Sequence, residues 1–442
     1  MKAGSACRRF VSGLVLAASL VAHAGAQSPG AQGSGGEGPP KARDLAPESP
    51  AEPTPMQGLD VEEARAALEL TLDWLKANQN EDGSWGTHVP GDLYELGFAW
   101  DTYYAWQVAS CALAVMALRA APPTPEIEAS LEKGIGWLTT TRVPHRGANW
   151  DVDSTWASLY GFVALVELAR DPRFAEGELA DRIRERGVAW YEDLVRRQTP
   201  DGGWAYYDDP PFTERPKWAT SFCTALILPP LLDALELGWP IDPEVPRRAQ
   251  RMVERCALPN GAYAYDFRFR QRAHGGESIN AVPGSLARIQ VANWALWLAG
   301  EERVDDGAVR KGLEQFFEEH LWLDLARTRP IPHEGWFANA GYFYFFGHYY
   351  AAKAISLLPE KEREAWHRPL RHHVEKTLTG DGSTTDFLIA SYQITAGTSY
   401  AALILAEGLA GSSLDHPRGT KPAPLPAPAP VVAPGDSTEE DQ

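Results

Sequence analysis

The sequence predicts an all-α protein in which six outer plus six inner helices close into an α/α toroid, an α6/α6 barrel. Three observations support this prediction. A glycine-containing turn recurs six times, at intervals of 47 to 74 residues. An amphipathic segment precedes the turns, and a more continuously apolar segment follows them. This alternation indicates an outer layer that meets water and an inner layer packed on both sides, and closing the ring leaves no exposed end to cap.

The elements follow one another in a regular order. The first outer helix is predicted around Ala64 to Leu75, where apolar residues recur at helical spacing. The segments predicted as inner helices are 102–120, 153–169, 218–237, 284–299, 341–358 and 386–409. The turns between outer and inner helices are centred on Gly83, Gly147, Gly202, Gly261, Gly335 and Gly382. Glycine permits the left-handed conformation that commonly ends a helix, so we expect these glycines to be structural.

The two ends of the chain do not fit the repeat. Basic residues, an apolar run and small residues up to Ala26 predict a signal peptide over 1–26 and export to the periplasm or the cell exterior. A Gly/Pro/Ser linker at 27–58 and a Pro/Ala/acidic tail at 413–442 are predicted to be disordered, because they carry little apolar surface. The toroid is predicted over 59–412, and no transmembrane segment is expected in the mature chain.

The composition narrows the possible partners. The chain has 442 residues and a formal net charge of −18, which argues against nucleic acid, anionic membranes and polyanionic glycans as main partners. Three cysteines remain after the signal peptide, and this odd number favours buried free thiols over a disulfide framework.

Two of the turns carry a longer motif. Residues 79–85 and 198–204 both read Q-x-x-x-G-x-W, and basic-Gly-x-x-aromatic segments begin at Lys133 and Arg186. Lys311-Gly312 before Phe316 is similar, with one more residue between the glycine and the aromatic residue. On these motifs, residues 59–412 resemble the prenyltransferase and squalene (terpene) cyclase repeat superfamily, as an exported member with a single toroid. The resemblance implies a terpenoid-cyclase-like fold. It also implies that the Gln amide bonds carbonyls at the helix end while the Trp ring covers the next junction.

The same resemblance makes Asp151 and Asp153 candidate catalytic residues. Class II terpene cyclases carry D-x-D-D at the start of an inner helix, and the middle Asp protonates an alkene or epoxide. Asp151-Val152-Asp153-Ser154 is similar to this motif, which gives Asp153 the role of general acid. Ser154 stands where the motif has its last Asp. An Asp at a helix start also suits helix capping, so both interpretations are open at this point.

A second candidate site lies in the fifth apolar segment. His348, close to several tyrosines and preceded by His333 and Asn339, is suited to proton transfer. Polysaccharide lyases built on helical toroids use such residues on uronates. Tyr342 and Tyr344 are candidate binding residues of this site, and packing of aromatic rings in the core is the alternative interpretation.

Further binding candidates lie near the turns. Insertions between the turns and the inner helices fall at the same end of the ring, so we expect them at one mouth of a central funnel. Arg268 and Arg270 there are suited to an anionic group or an acidic segment, of a partner or of a neighbouring loop. Trp156 and Trp218 are candidates for contacting a ligand.

Neither a cofactor nor a metal site is predicted. The Asp-x-Cys pair of zinc-dependent protein prenyltransferases is absent, and His372 and His373 are interpreted as part of a solvent-exposed helix face. The sequence therefore predicts an exported toroid of unassigned activity that binds a small hydrophobic ligand or a polypeptide at one mouth. The alternatives are a terpene-cyclase-like isomerase or lyase that uses Asp153, and a polysaccharide-lyase-like enzyme that uses His348.

Overall fold

The computed structural model describes residues 58–89, 98–147, 151–206, 216–266, 279–329, 331–387, 392–409 and 421–424. Its α-helices in these ranges are numbered in chain order. They are α1 (Val61–Ala77), α2 (Trp100–Ala120), α3 (Pro125–Leu138), α4 (Thr155–Arg170), α5 (Glu178–Arg197), α6 (Ser221–Glu236), α7 (Glu244–Cys256), α8 (Leu286–Leu298), α9 (Asp306–Glu318), α10 (Leu321–Ala326), α11 (Phe343–Ile355), α12 (Glu360–Glu375) and α13 (Tyr392–Ala406).

Six of these helices form a closed inner ring. Helices α2, α4, α6, α8, α11 and α13 pack side by side in this order, and α13 packs back against α2. Each inner helix is covered by an outer helix, namely α3, α5, α7, α9, α12 and, for α13, α1. The first outer helix therefore covers the last inner helix, which closes the ring. The predicted α/α toroid is confirmed.

Burial separates the two layers as the hydrophobic pattern predicts. All residues of the inner helix α11 are buried. The outer helix α7 buries a single stripe that includes Val245, Ala249 and Met252 and exposes charged residues on its other face. Cys111, Cys223 and Cys256 are buried free thiols, as expected. Among the described residues, no helix is long and apolar enough to cross a membrane.

The repeat turns dock onto the backbone of the next outer helix. Gly83, Gly202 and Gly382 have φ angles of 91°, 102° and 85°. A Cβ atom at Gly83 would lie 2.3 Å from the carbonyl oxygen of Lys133 in α3, and one at Gly382 would lie 2.3 Å from that of Leu70 in α1. Glycine is thus required both for its conformation and for the close approach.

Two turns depart from this prediction. Gly147 and Gly335 do not have positive φ. In these units the preceding helix ends nine residues earlier, at Leu138 and Ala326, so other residues end the helix.

The motif side chains have structural roles, as expected, but the predicted partner of the Gln amide is wrong. The Gln bonds the turn and the next outer helix, and it is the Trp indole that bonds a carbonyl near the end of the preceding helix. The Gln79 amide donates to the carbonyl oxygens of Gly83 (3.0 Å) and of Ser130 in α3 (2.9 Å). The buried Trp85 indole donates to the Leu75 carbonyl oxygen over 2.7 Å. Gln198 and Trp204 make the equivalent bonds to Gly202, Val245 and Leu194. Each motif therefore joins its turn to the end of one outer helix and the face of the next.

A layer of tyrosines crosses the inside of the ring. The hydroxyl of Tyr160 on α4 is hydrogen-bonded to that of Tyr400 on α13 and to Tyr350 on α11, and all three side chains are buried. Toward the carboxyl ends of the inner helices, a cavity of about 50 Å³ follows. Its lining includes Glu167, which pairs with the buried Arg119 over 2.7 Å.

Candidate functional site

The amino-terminal ends of the inner helices meet at one mouth of the ring, where aromatic rings converge. Trp106 on α2 stacks on Tyr392 of α13, with ring centroids 4.4 Å apart. Trp156 on α4 stacks on Phe222 of α6 at 6.2 Å, and Phe222 meets Phe343 of α11 edge-on at 5.2 Å. Trp218 also lies here, edge-on to Tyr206 at 5.2 Å. Both Trp156 and Trp218 are only partly buried, so their rings remain available to a ligand.

Asp153 is a carboxyl group placed among these rings. It lies just before α4 with a φ of 58°, and its Oδ2 accepts a hydrogen bond from the Trp106 indole over 3.2 Å. The amino terminus of α4 has no side-chain cap, so Asp153 does not have the capping role that its position suggested. Burial raises the pKa of Asp153 to about 6, although the Trp106 hydrogen bond opposes this rise. This pKa lies closer to neutral pH than that of an ordinary aspartate.

Asp151 has a different environment. Its Oδ2 accepts the backbone N–H of Gly147 over 2.9 Å, and the side chain is buried. Its hydrogen bond shapes the loop that carries Asp153.

Tyr342 and His333 form a hydrogen-bonded pair at the same mouth. The Tyr342 hydroxyl lies 2.8 Å from His333 Nε2, and His333 Nδ1 lies 2.6 Å from the Ala338 carbonyl oxygen. Because a carbonyl only accepts, Nδ1 carries the proton and Nε2 accepts from Tyr342. Burial lowers the pKa of His333, which keeps its imidazole neutral.

Asp153 and the tyrosines of this mouth lie within electrostatic reach of one another. Burial, and to a smaller extent the charge of Asp153, raises the pKa of Tyr265 and Tyr342. These two tyrosines are also hydrogen-bonded to each other. The mouth thus brings together a proton donor and a hydrogen-bonded Tyr-His pair.

A buried cation lies behind this pair. The Arg288 guanidinium donates to the carbonyl oxygens of Tyr263 and Ile279 and lies 5.4 Å from the centre of the Tyr265 ring. Burial lowers its pKa to about 10, so it stays positively charged at neutral pH. Within the described parts of the chain it forms no ion pair, and its charge contributes to lowering the pKa of His333. Arg288 therefore places one positive charge behind the Tyr265 ring and the Tyr342-His333 pair.

Backbone strain concentrates in the loops of this mouth. Among the described residues, the non-glycine residues with positive φ are Asp153, Thr328, His333, Phe337 and Ala338. Such conformations persist only where surrounding contacts enforce them, and they cluster at functional sites. Two of these strained residues belong to the candidate site, namely the acid Asp153 and His333 of the Tyr342-His333 pair.

Other residues singled out from the sequence lie elsewhere. His348 is fully buried between α11 and α12, and the Tyr344 hydroxyl beside it donates to the His373 carbonyl oxygen, away from the mouth. Asn339 ties its loop to the start of α8 through the Pro283 carbonyl oxygen at 2.8 Å. Arg268 and Arg270 lie outside the described residues.

No protein-family model and no curated protein matches the chain. Among solved structures it is similar to a possible member of the GH105 family from Klebsiella pneumoniae, with 13% identity, a TM-score of 0.46, and coverage of 85% of this chain and 99% of that one. It is also similar to the GH76 alpha-mannanase from Bacteroides thetaiotaomicron, with 12% identity, a TM-score of 0.46, and coverage of 78% and 95%. No assignment of activity follows from these values.

Proposed function

We propose that this chain is an exported enzyme that transfers protons at the aromatic mouth and cleaves a carbohydrate next to a uronate by β-elimination. The observation that carries the proposal is the placement of Asp153, a carboxyl with a raised pKa, within electrostatic reach of the Tyr342-His333 pair. A catalytic site typically contains acid and base groups whose surroundings shift their pKa values away from the ordinary ones.

Each residue has a distinct role in this reaction. The Tyr342 oxygen takes the proton from the carbon next to the substrate carboxylate, while its own proton passes to His333 Nε2. The bond between the adjacent carbon and the leaving oxygen breaks as the carbon-carbon double bond forms. Asp153 then gives its proton to the leaving oxygen. The aromatic rings, including Trp156 and Trp218, pack against the sugar rings.

Arg288 favours an anionic reaction centre. Negative charge develops on the substrate carboxylate during proton abstraction, and a nearby fixed cation in a dry environment stabilises it. The side chain is buried, so it acts through its field rather than by contact. Because the whole chain carries a net charge of −18, we expect a substrate with isolated uronates rather than a densely charged polymer.

A terpene-cyclase-like activity is the second candidate, and it rests on the same carboxyl. Asp153, which accepts the Trp106 indole hydrogen bond, is suited to protonate an alkene, and the aromatic faces of the mouth are suited to stabilise a carbocation. We propose membership in the cyclase repeat superfamily only together with this second candidate function. The buried positive charge of Arg288 opposes it, since a carbocation would form near a fixed cation.

A substrate screen distinguishes the two candidates. Purified protein is incubated with uronate-containing glycans, and the ultraviolet absorbance of an unsaturated uronate is followed. We expect turnover that Asp153→Asn and Tyr342→Phe abolish and that Tyr191→Phe leaves intact, because the Tyr191 hydroxyl bonds Asp242 N in an outer loop. No unsaturated product from any glycan would refute the lyase proposal. Isoprenoid cyclisation that depends on Asp153 would then establish the second candidate.

A further inference from the structure

Three histidines converge outside the mouth, where α11 meets α12 and the start of α10. His348 on α11 is fully buried, His320 just before α10 is buried, and His373 on α12 is partly buried. A nitrogen atom from each ring lies within 4.8 Å of one from each of the others. The cluster is separate from the proposed catalytic pair of Tyr342 and His333.

Hydrogen bonds fix which ring nitrogens carry lone pairs. His348 Nδ1 lies 2.7 Å from the Tyr344 carbonyl oxygen, which only accepts, so this nitrogen carries the proton. His320 Nδ1 lies 3.1 Å from Asp324 Oδ2. The Lys376 ammonium group lies 3.2 Å from the same carboxylate, and an ionised carboxylate paired with a cation also only accepts. In both neutral rings, Nε2 is left with a lone pair.

These two Nε2 atoms face each other across 2.9 Å. Two lone pairs at this separation repel unless a cation lies between them, either a proton or a metal ion. A shared proton would place a positive charge among buried aromatic rings, since the buried Phe316 lies edge-on to both His320 and His348. Neutral imidazoles of this kind are ligands that zinc and similar ions prefer.

We propose that His320, His348 and His373 bind one divalent cation of the zinc class. Nitrogen ligands at about 2.0 to 2.1 Å in a tetrahedron lie about 3.4 Å apart, so the pair at 2.9 Å needs to open by only about half an ångström. The His373 ring stacks on His320 at 3.5 Å and has to turn to present a nitrogen. Its hydrogen-bond partner, Lys376, is exposed and also pairs with Asp324, so it keeps an ionic partner when it releases His373.

The surroundings have the features of a metal site. The Tyr344 carbonyl and the Asp324 carboxylate each hold the non-ligating nitrogen of one imidazole, which is how outer partners usually orient histidine ligands. Three ligands leave a fourth position for water. The bound ion joins α11, α12 and the start of α10, so it acts as a clamp between the inner and outer layers.

Cobalt binding tests the site directly. Metal-depleted full-length protein is titrated with Co²⁺, and the visible absorption of the bound ion is recorded. We expect saturation at one equivalent with the intense bands of tetrahedral Co²⁺, displacement by Zn²⁺, and a higher unfolding temperature with either ion.

Two variants on the same helix sharpen the test. His373→Asn removes a ligand and should weaken Co²⁺ affinity at least about tenfold. His372→Asn changes the neighbouring, equally partly buried histidine and should leave the affinity unchanged. The proposal is refuted if Co²⁺ shows no saturable binding, or if the two variants weaken it equally. It is also refuted if nitrogen NMR shows a proton shared by His320 and His348 that does not respond to Co²⁺ or Zn²⁺.

Discussion

Asp153 combines two departures from local rules that most residues of the chain obey. Its backbone has a left-handed φ of 58°, and its partly buried carboxyl accepts a hydrogen bond from Trp106. Both features are unfavourable for folding, since a non-glycine residue at positive φ is strained and a buried charge is poorly solvated. A residue retained under such conditions is a candidate for function.

Replacing Asp153 should therefore stabilise the protein. The pKa of Asp153 is about 6 in the folded state and about 4 when unfolded, so the folded protein binds this proton more tightly. The unfolding free energy consequently falls as pH rises from about 4 to about 6. We expect Asp153→Asn to gain about 2 to 3 kcal/mol at pH 7.5 and almost nothing at pH 4, as measured by urea unfolding.

The control for Asp153→Asn is the same comparison of wild type and variant at pH 4. Asp386 is also buried, with its pKa raised to about 7, so only the difference between wild type and variant at each pH isolates Asp153. A variant that is less stable than wild type at pH 7.5 would show that the carboxylate is structural.

The pH dependence of turnover follows from the same group. A general acid acts in its protonated form, so kcat/KM for the uronate substrate should fall as pH rises through about 6. The profile is measured on glycan cleavage by the wild-type protein. A rate that is constant from pH 5 to pH 8 would remove Asp153 from the role of acid.

The sequence predicts some site residues and misplaces others for a physical reason. Asp153 was found because a local motif at a helix start carries it. Periodicity placed His348 on a helix with several tyrosines, but it could not tell which helix face meets the mouth and which meets α12. His333 lies in a loop and reaches Tyr342 only through a strained backbone. Arg288 gave no signal, because only the three-dimensional structure shows that its buried charge has no ion-pair partner among the described residues.

At the scale of elements, the turn glycines determine how neighbouring units dock. Gly382 should not tolerate a side chain, because its φ is 85° and a Cβ would lie 2.3 Å from the Leu70 carbonyl oxygen. We expect Gly382→Ala to lower the unfolding free energy by about 2 kcal/mol or more in urea unfolding.

The substitution Gly136→Ala is the control for Gly382→Ala. Gly136 lies inside α3, and a Cβ there would have no atom within 4 Å. Gly136→Ala should therefore raise the unfolding free energy by about 0.5 to 1 kcal/mol through helix propensity. Equal effects of the two substitutions would contradict the docking role of the turn.

The outer helix α5 holds the segment that carries Asp153. The buried Arg197 donates to Ser154 Oγ (2.9 Å) and the Pro144 carbonyl oxygen (3.2 Å), and it pairs with Asp193 over 2.6 Å. Arg197→Met leaves Asp193 with a poorly compensated charge, so we expect a loss of about 3 to 5 kcal/mol in urea unfolding.

Arg196 provides a neighbour for comparison. It also pairs with Asp193, over 2.7 Å, but its side chain is 35% exposed. Arg196→Met should cost less than about 1 kcal/mol. If it matched Arg197→Met, the ion pair alone rather than the buried network would account for the effect.

At the scale of the whole molecule, closure makes the last helix essential. The fold was predictable because six repeats of helix pairs leave no alternative use for their apolar faces. Docking of α1 onto α13 joins the first and the last of the described helices, and no local sequence pattern specifies this contact. The mouth loops were less predictable, since their conformations depend on which units become neighbours.

Truncation tests this closure. Removing residues 388–442 deletes α13 and uncovers the apolar faces of α1 and α2. We expect an unfolded or aggregated product by circular dichroism and size-exclusion chromatography. Removing only 425–442 should leave both measurements unchanged. A folded monomer without α13 would show that the ring need not close.

The hydroxyl groups of Tyr160, Tyr350 and Tyr400 join three inner helices, α4, α11 and α13, across the inside of the ring. A substrate that reaches these buried hydroxyls from the aromatic mouth would meet hydrogen-bonding groups rather than an apolar filling. For the proposed lyase, this crossing layer would favour removal of units from the end of a glycan over cuts along its length.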